Sequence, residues 1–86
     1  MELNEFLIED IFSIPGRGIV ISGRLLSGRV KPGMKANISD KRISIKKIET
    51  FKGTLNLTKP GQTIGLLLEG IDKKEELKKG ETLIFA

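Results

Sequence analysis

The sequence contains no cysteine, no histidine, no tryptophan and no tyrosine. Without cysteine there is no disulfide framework, no thiolate nucleophile and no cysteine metal site. Without histidine the commonest general base, the commonest metal ligand and the usual switch near neutral pH are missing. The four phenylalanines are the only aromatic residues. At least three of them read as core, so a platform of aromatic rings for stacking RNA bases is not expected. Long apolar runs are lacking too, since none approaches the ~18 residues that span a bilayer. The opening Met1-Glu2-Leu3-Asn4-Glu5 is acidic and does not have the basic-then-apolar pattern of a signal peptide. These absences predict a cytoplasmic chain that is not an enzyme, holds no metal or cofactor and does not enter a membrane.

What is present sets further bounds. A chain of 86 residues is expected to form one domain, residues 1–86, around one modest core. Fifteen basic and eleven acidic residues leave a formal charge of +4. That charge suits an RNA partner without requiring one. Lysine, glutamate and isoleucine are abundant while glutamine is nearly absent, a composition that fits a thermophilic source.

Three Pro-Gly pairs punctuate the chain: Pro15-Gly16, Pro32-Gly33 and Pro60-Gly61. Proline fixes φ for the first central position of a turn, and glycine accepts the positive φ that a type II turn needs at the second. Between the turns lie β-branched runs at 6–14, 18–26, 35–39, 43–51, 62–69 and 82–85. Phe6, Ile8, Phe12 and Ile14 share one parity, and Ile11 breaks it, which predicts a bulge near Glu9-Asp10. Gly23 predicts a bend or a close backbone approach. Ile64, Leu66 and Leu68 fall on one face of their run and Leu67 on the other, as in a central strand. Asp72 to Lys79 reads as one or two helical turns, with Asp72 as N-cap and Gly80 as the stop. Short strands with tight turns predict an all-β fold, a small closed antiparallel barrel of six to seven strands, because closure removes unpaired edges.

Several chemical motifs fail on inspection. Gly23 to Gly28 has the glycine spacing of a phosphate-binding loop, but Arg29 and Val30 stand where Lys and Ser or Thr are needed. No nucleotide is therefore expected to bind this chain alone. The carboxylate pairs Glu9-Asp10 and Glu75-Glu76 do not converge across a pocket as acid–base chemistry requires. Basic residues are spread: Arg17, Arg24, Arg29 and Lys31, then Lys41, Arg42, Lys46 and Lys47. Phosphate contact by these side chains remains open.

The stretch from Ile8 to Arg24 carries an acidic pair, a Phe-Ser-Ile strand, an Ile-Pro-Gly-Arg-Gly hairpin and a Ser-Gly-Arg strand end. It closely resembles the opening of domain 2 of elongation factor Tu and other translational GTPases. The likeness continues through Ile48-Glu49-Thr50-Phe51 and Gly65-Leu66-Leu67-Leu68-Glu69-Gly70 to the last strand, about residues 6 to 85. The resemblance implies an antiparallel Greek-key barrel. It also implies that Ile14, Val20, Glu49 and Leu67 or Leu68 form the shallow pocket that holds the 3′-terminal adenosine of aminoacyl-tRNA in that family. Glu9, Asp10 and Arg17 would lie on the tRNA-facing rim. Ser22 stands where the family usually has threonine, and Glu69 where it has arginine. The function implied is a non-catalytic module that contacts a tRNA end or ribosomal RNA. The alternative is a structural barrel that docks a separate GTPase, a ribosomal protein or another ribonucleoprotein partner.

Overall fold

A computed structural model describes residues 3–50, 53–54 and 60–86. The Pro-Gly pairs fold as their chemistry dictates. Gly16, Gly33 and Gly61 take φ of +81°, +95° and +86°. The Arg17 N–H donates to the Ile14 carbonyl at 3.0 Å, and the Met34 N–H to the Lys31 carbonyl at 3.2 Å, closing two of these turns.

Between the turns run β1 (Asn4–Ile14), β2 (Gly18–Ser27), β3 (Lys35–Ile38), β4 (Lys41–Thr50), β5 (Gly53–Thr54), β6 (Thr63–Glu69) and β7 (Thr82–Phe85). The strand order is β3-β4-β6-β2-β1-β7, with β5 paired to β4, and every pairing is antiparallel. β6 lies between β4 and β2, the central place expected for its apolar run. The two ends of the sheet meet through a reciprocal pair. The Lys35 N–H donates to the Ala86 carbonyl at 2.9 Å, and the Ala86 N–H to the Lys35 carbonyl at 2.8 Å. This contact brings the sheet nearly to a closed barrel and leaves little exposed edge.

The interior is aliphatic, with a phenylalanine from each of the first and last strands. Phe6, Ile8, Ile21, Leu25, Leu66 and Phe85 are all essentially buried. Burying each such side chain contributes about 1.5–3 kcal/mol.

β1 changes face halfway along. Its pairing with β2 shifts register between Ile8 and Asp10, the bulge that the sequence pattern predicts. One extra residue reverses the parity of all that follows. Phe6 and Ile8 therefore point inward, whereas Ile11 packs against the core and Phe12 turns out, 45% exposed. The parity that groups Phe12 with Phe6 and Ile8 in the sequence therefore does not survive the bulge. Phe6 and Phe85 are core, Phe12 is not, and Phe51 lies outside the described residues.

Two further expectations change in detail. The strand expected at 43–51 is seen as Lys41–Thr50. The helical stretch shrinks to a 3-10 turn, Lys74–Glu76, whose N-cap is Lys73 rather than Asp72 and makes no side-chain capping bond. Instead, an ion pair from Lys41 Nζ to Glu76 Oε1 at 2.7 Å ties this turn to β4.

Candidate functional site

Register lines up side chains in rows across the outer face of β1, β2, β6 and β4. Phe12, Val20, Leu67 and Lys47 form one row. Asp10, Ser22, Gly65 and Glu49 form the next. Ile14 lies beyond the first row, opposite Gly18 at the hairpin end. Phe12, Ile14, Val20 and Leu67 thus make an apolar strip on an outer surface, where a strand usually turns polar residues to solvent. A shallow pocket of about 310 Å³ opens beside the strip, lined by Val20, Ser22, Glu49, Thr50, Thr63 and Gly65 among others.

The structure separates the residues singled out from sequence into three groups. Ile14, Arg17, Val20, Glu49 and Leu67 come together on this face. Leu68 does not join them. It packs in the core cluster, since β6 alternates and only one of two adjacent leucines can face outward. Leu67 is 5% exposed yet lies outside that cluster, so its burial comes from the outer face. Glu9 and Asp10 are engaged by cations of their own, Asp10 at the β1 end of the second row. Arg24 Nη2 lies 3.3 Å from Glu9 Oε2, and Lys79 Nζ lies 3.3 Å from Asp10 Oδ1. Phe12 is the apolar residue that the sequence reading missed. The bulge at Glu9-Asp10 was the available signal, since it sends Phe12 to the same face as Val20.

Arg17 and Glu49 pair with each other, Arg17 Nη2 donating to Glu49 Oε1. Both side chains remain partly exposed, at 41% and 34%. The hairpin positions Arg17: its backbone N–H closes the turn, which fixes where the side chain leaves the tip.

Asp10 is met by a backbone donor and by a lysine on this side of the barrel. The Ile11 N–H, donating at 2.9 Å, and then the Lys79 ammonium hold its carboxyl below the usual aspartate range. A depressed folded-state pKa stabilises the fold above the unfolded value and loses that effect as pH falls through the folded value. Asp10→Asn is therefore expected to lower the urea midpoint at neutral pH. The difference from wild type should shrink through the acid range below about pH 4. A difference that persisted unchanged below about pH 2 would contradict this.

The fold defines the class first: a small antiparallel barrel of the kind found as the second domain of translation factors. The family follows from comparison, because the family model Elongation factor Tu domain 2 matches residues 18–84. The chain belongs to that family. The matched span takes in Val20, Glu49 and Leu67, while Ile14 and Arg17 lie just before it. Among the described residues, no helix is long and apolar enough to cross a membrane.

Proposed function

We propose that this domain is a non-catalytic binding module that takes a tRNA 3′ end or an exposed ribosomal RNA nucleotide on the outer face of β1, β2, β6 and β4. One observation carries the reading: Ile14, Val20, Leu67, Arg17 and Glu49, from four strands and a hairpin, meet beside one open pocket. A flat base covers apolar Val20 and Leu67, a carboxylate at Glu49 accepts from a base or sugar donor, and a guanidinium at Arg17 meets phosphate. So small a surface supplies few anchors, and affinity in the high micromolar to millimolar range is expected.

A second reading is favoured by Leu3, Leu26 and Ile84, each about half exposed. Glu5 is in register with Ser27 on one side and Ile84 on the other, which brings these three side chains to one end of the barrel. That end would suit a protein partner such as a separate GTPase or a ribosomal protein.

Salt separates the two. Fluorescence anisotropy with a labelled CCA-ended oligonucleotide is expected to show binding that weakens steadily from 50 to 500 mM salt, as phosphate contact requires. Absence of RNA binding, together with a stoichiometric protein retained at high salt, would replace the RNA reading with the second one.

A further inference from the structure

The ion pair between Arg17 and Glu49 does more than join two rim residues. Gly18 precedes Val20 by two residues on β2, and Glu49 follows Lys47 by two on β4. The hairpin tip and Glu49 therefore lie on opposite sides of the row that holds Val20, Leu67 and Lys47. A bond between Arg17 and Glu49 has to cross that row. The start of β2 flanks that row, since a Cβ at Gly18 would sit 3.9 Å from Leu67 Cδ1, an ordinary van der Waals distance. Leu67 is nearly buried although it belongs to the outer face and not to the core cluster. An arginine and a glutamate that meet above it would account for this, since their aliphatic stems cover apolar surface well.

We propose that the Arg17–Glu49 pair is a clasp that closes over the apolar floor in the free barrel, so that the two groups offered to a ligand first satisfy each other. This rests on the RNA reading above and adds a selection rule to it. A ligand with a ring alone must displace the clasp and leave Arg17 without an anion. A ligand with both a ring and a phosphate replaces each lost contact: the ring covers the floor, a base or sugar donor takes Glu49, and the phosphate takes Arg17. The ligand class selected is thus a nucleotide bearing phosphate, over a free nucleoside. An exposed pair is weak enough for such an exchange, and its removal is expected to change affinity by about two- to fivefold.

The test uses adenosine and adenosine monophosphate as probes, followed by amide NMR titration of the whole chain. Wild type is expected to bind the monophosphate more tightly. In Arg17→Ala, adenosine should bind about two- to fivefold more tightly than in wild type, while the advantage of the phosphate disappears. Arg17→Gln, which keeps a polar side chain of similar reach, should behave like Arg17→Ala, which guards against a folding artefact in either variant. Salt gives an independent sign. Raising it screens the clasp, so adenosine affinity in wild type should rise towards that of Arg17→Ala, while monophosphate affinity falls. If adenosine shifts Val20 and Leu67 equally well in wild type and both variants, the RNA reading stands and the clasp is refuted. If neither probe shifts that face in any of the three proteins, both are refuted.

Discussion

Gly23→Ala is expected to cost at least about 3 kcal/mol, and with it most of the folded population. Gly23 is opposite Ile8, immediately before the bulge that reverses β1. There the backbone of β1 passes directly over the glycine. A Cβ at position 23 would overlap the Leu7 carbonyl and lie 3.1 Å from the Glu9 nitrogen. These are backbone atoms, which cannot swing aside as a side chain can. Relief requires β1 to lift from β2, which breaks ladder hydrogen bonds and opens the core at Phe6 and Ile8. A domain of this length has only about 4–13 kcal/mol of total stability, so the loss is a large fraction of it. Urea unfolding followed by circular dichroism reads the effect directly. Ser22→Ala next to it, half-buried on the outer face, is the control and should stay within about 0.5 kcal/mol of wild type. A Gly23→Ala midpoint indistinguishable from the control would mean that the close approach is not a structural constraint.

The second large effect is on binding. Val20→Asp is expected to weaken a CCA-ended oligonucleotide by at least about tenfold while leaving the barrel folded. Val20 is half-buried on the outer face, between Phe12 on one side and Leu67 on the other. A carboxylate there faces a base on its apolar side and repels the phosphate that Arg17 attracts. The inner face of β2, with Ile19 and Ile21, is untouched. Anisotropy gives the affinity, and a far-ultraviolet spectrum matching wild type shows that the fold is intact. Unaltered binding by a folded Val20→Asp would move the RNA site away from this face.

The parts of the barrel that were legible in the sequence are those set by local chemistry. The Pro-Gly turns, the bulge at Glu9-Asp10 and the close approach at Gly23 each follow from what one or two residues permit in φ, ψ or volume. The outward position of Leu67 follows from alternation, which already set it apart from Ile64, Leu66 and Leu68. What was not legible depends on register between distant strands. Arg17 and Glu49 are 32 residues apart. Their meeting depends on β2 pairing with β6 and on β6 pairing with β4 across a further irregularity, between Ile45 and Lys47. One residue of slip at either pairing would turn Glu49 to the other face. Phe12 falls between the two cases, because the bulge is legible from local pattern while the face of each later β1 side chain depends on the residue at which the register shifts. The N-cap at Asp72 failed for another reason. The segment folds as a single 3-10 turn anchored by Lys41 and Glu76, too short for capping chemistry to decide where it starts.

The most direct measurement is an amide chemical-shift map of the isotope-labelled chain titrated with a short CCA-ended RNA at low salt. Binding at the proposed face predicts saturable shifts at Ile14, Arg17, Val20, Glu49 and Leu67. Leu68 and Phe85, which face the core, should move far less. Shifts that instead cluster at Leu3, Leu26 and Ile84, or on the basic residues Lys41 and Arg42 at the start of β4, would contradict it, as would no shift at millimolar RNA.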